Sequence, residues 1–160
     1  MMLVPFLEKQ TKDKGLGVFA KSFIPKGTVV WRLTNPVRVS KDEYSKLPKN
    51  IKNQAYPEGD HFVYSLCSGE AWNHSCDANT WWTKDNELSA RRDIKEDEEI
   101  TYDYATTDID PDVTRTWQCK CGSIKCRHNI NWNDILLPEL YEEYKGHLPS
   151  FVEKMVRKYN

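Results

Sequence analysis

A chain of 160 residues suits one domain and can bury a real core without disulfide staples. Hydrophobic residues make up 39% and charged residues 29%, an ordinary globular balance, and 23 basic against 24 acidic residues give no electrostatic case for nucleic acid as the main ligand. No apolar run approaches the length needed to cross a bilayer.

Residues 1–10 hold a short apolar stretch without a basic n-region or a small-residue cleavage site, so they read as a mature start and point to an intracellular, reducing compartment, cytoplasmic or nuclear. Lys14-Gly15-Leu16-Gly17 predicts a turn, followed by an apolar strand over 18–20. Pro25-Lys26-Gly27 is a second turn, and the β-branched and aromatic run over 28–33 predicts another strand. Ser40-Lys41-Asp42-Glu43 has the spacing of a capping box and predicts a short helix ending near Leu47. Alternation predicts strands over 61–66, 80–83, 88–92 and 99–104, with a polar turn over 93–98 and a loop over 111–116. From Pro138 the pattern becomes helical. Phe151, Val152, Met155, Val156 and Tyr159 recur at helical spacing, Ser150 with Glu153 is a candidate cap, and Leu140, Tyr141 and Tyr144 are expected to pack back on the domain. Many short strands with a helical tail predict a mostly β or α+β single domain without repeats.

The five cysteines, Cys67, Cys76, Cys119, Cys121 and Cys126, are an odd number, which argues against a disulfide framework. Three lie in Cys119-Lys120-Cys121-Gly122-Ser123-Ile124-Lys125-Cys126, a C-x-C-x4-C spacing. Thiolates this close repel one another unless a cation sits between them, and structural zinc takes four tetrahedral ligands. The fourth must come from elsewhere: Cys76 and Cys67 are the remaining thiols, and His128 is the nearby non-thiol. Three unconnected free thiols are the weaker reading, because free cysteines are usually buried singly. A second polar run, Asn73-His74-Ser75-Cys76-Asp77-Ala78-Asn79, lies between predicted strands and by itself reads as a turn with a satisfied histidine.

Gly15-Leu16-Gly17-Val18-Phe19-Ala20, the Asn73 to Asn79 run, Glu98-Glu99-Ile100-Thr101-Tyr102-Asp103-Tyr104 and the C-x-C-x4-C cluster follow one another in that order. Together they resemble the SET domain followed by its post-SET zinc segment, over about residues 14–130. A lone Gly-x-Gly is weak, whereas the two longer motifs with the cysteine spacing are specific. The resemblance implies small curved sheets with a pseudoknot, a post-SET zinc knuckle and C-terminal helices, divided as 1–116, 117–130 and 131–160. It implies an S-adenosylmethionine-dependent protein-lysine N-methyltransferase. The expected partner is a protein with an exposed lysine, histone tails being the family's common target, with no membrane or direct nucleic-acid contact and a monomeric or weakly dimeric state. It makes Cys76 the fourth zinc ligand beside Cys119, Cys121 and Cys126, and leaves Cys67 and His128 out. It implies main-chain contacts to the donor from Lys14, Leu16 and Gly17. Asn73 is expected at the donor's amino-acid part, the His74 backbone at its adenine, and Trp117 beside that ring. Tyr104 matches the catalytic tyrosine, and a hydroxyl at Tyr102 implies a monomethyl product. Plain core packing is the alternative for Trp117 and Tyr104. Trp31 and Tyr64 are candidates to line a lysine channel, with core packing as good a reading for each.

The chain departs from the family pattern in places. Glu70 and Ala71 stand where many members have Arg-Phe, Ala78 where proline is common, and Asp97 where glycine is common. No Tyr-x-Gly-Glu follows the 28–33 strand, and the insert before His61 is short. These departures support a second reading, a catalytically weak SET-like binding module.

Overall fold

The computed structural model describes residues 1–52, 55–65, 72–109 and 116–159. Its first half runs β1 (Phe6–Gln10), β2 (Leu16–Ala20), β3 (Val29–Arg32), β4 (Pro36–Ser40), α1 (Lys41–Lys46), α2 (Lys49–Lys52), β5 (Tyr56–Glu58) and β6 (His61–Ser65). The second half runs β7 (Asn73–His74), β8 (Thr80–Lys84), β9 (Glu87–Ala90), β10 (Thr101–Tyr102), β11 (Trp117–Gln118), β12 (Asn129–Ile130), α3 (Pro138–Tyr144) and α4 (Ser150–Tyr159). Among the described residues these strands form five small sheets: β1-β2, β3-β9-β8, β4-β6-β5, β10-β7 and β11-β12.

The main core gathers the inward residues of β2, β3, β8 and β9, including Val18, Ala20, Val30, Trp31, Trp82 and Leu88, with Ile94 and Ile100. Fully burying one such aliphatic or aromatic side chain stabilises by about 1.5–3 kcal/mol. Main-chain bonds from Ala20 to the Glu98 carbonyl and from Ile100 to the Val18 carbonyl, 2.9 and 2.7 Å, fasten the 98–100 segment along β2. The 93–98 stretch is therefore more than a polar turn: Ile94 is fully buried and exchanges main-chain bonds with Ile24, each 2.9 Å. Asp97 has φ 63°, the left-handed region where glycine is favoured and a short polar side chain is tolerated.

Around α1 the predicted capping box is present. The Ser40 hydroxyl accepts the Glu43 N–H at 3.3 Å, and the Ser40 N–H donates to Glu43 Oε2 at 2.8 Å. Such a cap contributes about 1 kcal/mol. The expected strand over 99–104 shrinks to β10. Asp103 ends it, because its Oδ1 accepts the Ala105 N–H at 3.0 Å and starts a 3-10 turn over Tyr104–Thr106.

After β12, a 3-10 turn (Asp134–Leu136), α3 and α4 fold back on the domain. Ile135, Leu140, Tyr144, Val152 and Val156 form a second cluster with Ala105 and Ile109. The Trp81 ring lies flat on His147, centroids 3.4 Å apart. The start of α4 is not held by a Ser150–Glu153 cap. The Ser150 N–H donates to Asp85 Oδ1 at 2.6 Å and its hydroxyl to Asp85 Oδ2, so the acceptor is borrowed from the β8–β9 turn, while the Glu153 N–H goes to the Pro149 carbonyl. Among the described residues no helix is long and apolar enough to cross a membrane.

Candidate active site and thiol cluster

The site begins with the parallel pairing of β7 and β10, Thr101 opposite Asn73 and Tyr102 opposite His74. Buried Asn79 holds the two segments together. Its Oδ1 accepts the Thr101 N–H at 2.9 Å and its Nδ2 donates to the Glu99 carbonyl at 2.8 Å. The Asn73 amide donates to the Leu16 carbonyl at 2.9 Å and to Glu99 Oε1 at 2.8 Å, and the Lys14 ammonium pairs with Glu99 Oε2. Three segments far apart in sequence thus meet at Gly17. A Cβ there would stand 2.5 Å from Glu99 Oε1 and 2.8 Å from Asn73 Nδ2, so any larger residue has to displace one of these two side chains.

Beside this cradle lies an aromatic wall. The Tyr104 ring stacks on Trp117 at 4.9 Å and leans on Tyr102 at 4.8 Å, and Tyr102 meets Trp72 edge-on at 6.3 Å. Trp72 in turn meets Trp31 at 6.3 Å. The Tyr104 hydroxyl donates to the Trp72 carbonyl. Burial, reinforced by the neighbouring Tyr104 phenol, pushes the Tyr102 phenol well above its ordinary range, so it stays a neutral hydroxyl. The indole N–H groups of Trp31, Trp72 and Trp117 are buried without a partner among the described residues. Tyr64 lies in a separate cluster, with Ala55 and Phe62.

The His74 ring is buried between the wall and the thiols. Burial drives its pKa down to about 4 against the pull of Asp103, so the ring is neutral. The Tyr104 backbone N–H donates to Nδ1 at 3.2 Å, which places the ring proton on Nε2, 3.2 Å from the Cys76 sulfur.

The sulfurs of Cys76, Cys119, Cys121 and Cys126 all lie within 4.8 Å of one another. His128 takes no part through its ring; it has φ 63° and its carbonyl accepts the Cys119 N–H at 2.6 Å. Cys67, Glu70, Ala71 and the 111–115 part of the predicted loop lie outside the described residues. Burial raises the Cys76 thiol, and raises Cys119 to about 11, whereas backbone N–H groups of Cys76 and Ser123 outweigh burial and bring Cys121 down to about 7. Four sulfurs this close ionise together only around a cation, and an all-thiolate tetrahedral set fits zinc.

The SET-domain family model matches residues 15–105. The chain belongs to the SET-domain family. The histone-lysine N-methyltransferase ash1 of Drosophila melanogaster is 30% identical over 145 residues, which cover 78% of this chain and 6% of that protein. Among solved structures, the methyltransferase domain of human histone-lysine N-methyltransferase SETMAR superposes with a TM-score of 0.60 at 21% identity, covering 82% of this chain and 59% of that one. KRYPTONITE in complex with mCHG DNA and SAH gives 0.58 at 20% identity, covering 80% and 29%. At these identities the two structures speak for the fold alone. This SET domain spans a small fraction of the ash1 chain and less than two thirds of either structural relative.

The matched SET region ends at residue 105, and the thiol cluster straddles that end, with Cys76 inside it and the other three sulfurs beyond. Arg127 adds a second tie. Its two terminal nitrogens donate to the two oxygens of Asp103, each at 2.7 Å, and its Nε to Asp134 Oδ2 at 3.0 Å. The Asp103 carboxylate is wholly buried. Removing one partner of such a buried pair costs about 3–5 kcal/mol. Glu99, Trp72, Asp103 and Arg127 carried no assigned role in the sequence. Glu99 and Asp103 stand inside the Glu98-to-Tyr104 motif, while Trp72 and Arg127 directly flank Asn73 and Cys126, so adjacency to the motifs was the available signal.

Proposed function

We propose that this SET domain transfers a methyl group from S-adenosylmethionine to the ε-amine of a protein lysine and yields mainly monomethyl-lysine. The observation that carries the reading is the β7–β10 pairing, which puts the Gly17 cradle, the two tyrosines and Cys76 in one place. Lys14, Leu16, Gly17, Asn73, His74 and Trp117 are assigned to the donor, and Tyr104 and Tyr102 to the transfer. Cys76, Cys119, Cys121 and Cys126 are assigned to a structural zinc. The site suits such a donor: the Trp117 N–H, buried and without a partner among the described residues, offers a hydrogen bond to a ring acceptor.

S-Adenosylmethionine, when bound, supplies an electrophilic methyl on a cationic sulfur. A lysine ammonium with an ordinary pKa of about 10.4 must first lose a proton. Walls such as Trp31, Trp72 and Tyr102 disfavour the ammonium by desolvation, so it can release its proton to solvent water without a strong general base. Alignment of nitrogen, methyl and sulfur then supplies much of the barrier reduction. The Tyr104 hydroxyl donates a hydrogen bond to the Trp72 carbonyl, and a phenol oxygen so oriented can accept weak C–H···O contacts from a polarised methyl.

The similarity to a histone-lysine methyltransferase makes histones the first acceptor to test, and an intracellular protein lysine the acceptor class. Labelled donor with histones and with whole-cell protein, followed by mapping of the acceptor lysine, tests the proposal. Transfer to neither would favour the binding-only reading. Tyr102→Phe is expected to shift the product toward di- and trimethyl-lysine in mass spectra; a mostly trimethylated product from the wild type would overturn the monomethyl assignment. Gly17→Ala is expected to displace Asn73 or Glu99 and weaken donor binding at least ~10-fold by calorimetry, with the circular dichroism spectrum retained.

A further inference from the structure

Arg127 is the place where three parts of the chain are fastened at once. Its backbone N–H donates to the Cys76 sulfur at 3.4 Å, its guanidinium fork grips Asp103, and its Nε reaches Asp134. Asp103 stands between Tyr102 and Tyr104 and caps the turn that carries the Tyr104 ring. The same carboxylate lies 3.5 Å from His74 Nδ1, which accepts the Tyr104 N–H. A planar fork holds a carboxylate in orientation as well as in position, which a point charge on a flexible stem cannot do.

We propose that Arg127 is a positioning residue: by fixing the Asp103 carboxylate it sets the backbone turn that aims the Tyr104 hydroxyl, and so transmits the state of the thiol cluster to the transfer site. The geometric claim concerns the turn alone; its effect on turnover rests on the methyltransferase reading above. Asp134 marks the control, because it takes the Arg127 Nε bond and neither of the two bonds that hold Asp103.

The test uses the full chain loaded with zinc and compares wild type, Arg127→Lys and Asp134→Asn. Amide hydrogen exchange read by NMR at Tyr104 decides the geometric claim whether or not the protein turns over. Arg127→Lys is expected to lose at least ~10-fold of the Tyr104 protection, while the Thr101 amide, bonded to Asn79, is unchanged and metal content stays at one ion per chain. Asp134→Asn is expected to leave Tyr104 protection as in wild type. If Arg127→Lys does not fold, Asp103→Asn weakens the same fork from the other side, with an amide oxygen left to cap Ala105, and is read the same way. Unchanged Tyr104 protection in the folded variant overturns the proposal, as does a loss shared equally by Thr101, which marks a merely structural role. With activity in hand, Arg127→Lys is expected to lower kcat with KM for the donor nearly unchanged. That loss should shrink in a Tyr104→Phe background, because the two residues act through one hydroxyl. Independent, multiplying losses overturn the link to transfer and leave the methyltransferase reading standing; absence of transfer in wild type removes that reading and leaves the exchange result to decide the turn.

Discussion

Tyr104→Phe is expected to lower turnover about 100- to 1,000-fold while donor affinity changes little, an effect of the size seen when one preorganised polar group is taken from a reacting centre. The reason lies in the placement of the single oxygen removed. The ring is fixed independently, by stacking on Trp117 and leaning on Tyr102, and the turn that carries it is fixed by Asp103. Phenylalanine keeps all of those contacts. It loses the hydroxyl and with it the bond to the Trp72 carbonyl. Single-turnover rates with labelled donor, set beside calorimetric donor affinity, measure the split. Equal losses in both would mean that the hydroxyl serves binding rather than transfer.

Cys119→Ser is expected to abolish stoichiometric zinc and to weaken donor binding at least ~10-fold, although residue 119 lies outside the cradle. The path is short. The Cys76 sulfur lies 3.8 Å from that of Cys119, and Cys76 stands two residues after His74 and three after Asn73. Without a cation, two of the clustered thiols sit in surroundings where burial disfavours the thiolate, so the cluster has no reason to stay closed. Trp117, two residues before Cys119, would then lose its hold beside Tyr104 and His74. Elemental analysis, donor calorimetry and Trp fluorescence on the same preparation check all three consequences. Donor affinity retained after the metal is gone would separate the two sites.

Much of this was legible in the sequence because it rests on short-range chemistry. The Ser40 capping box is a four-residue pattern and appears as read. The C-x-C-x4-C spacing points to a cation site and leaves its fourth ligand open; the resemblance supplies Cys76, and the sulfurs of Cys76, Cys119, Cys121 and Cys126 lie together. Six of the described strands went unread: β7, β11 and β12 are two-residue pairings too short to show alternation, and β1, β4 and β5 place charged or proline residues such as Lys9, Arg38 and Pro57 in edge positions, where alternation is blurred by the solvent face. The strand read over 99–104 failed for a different reason. Asp103 looks like an outward residue of an alternating run, yet its carboxylate is buried by a guanidinium 24 positions later, and no local pattern records that. Asp85 at the start of α4 is the same case, a cap supplied from 65 residues upstream.

The cradle and the thiol cluster are also assembled in an order imposed by the chain itself. The Leu16–Asn73, Lys14–Glu99 and Cys76–Cys119 contacts span 57, 85 and 43 residues. None forms before its later partner leaves the ribosome, and closures of this length slow folding. During synthesis β7 must therefore wait for β10, and Cys76 must wait, unligated and beside a half-built core, for three sulfurs made last. The nascent protein passes through a stage with an aromatic wall already present and its fastening still unmade, which is the interval in which chaperone capture or cysteine oxidation would do most harm.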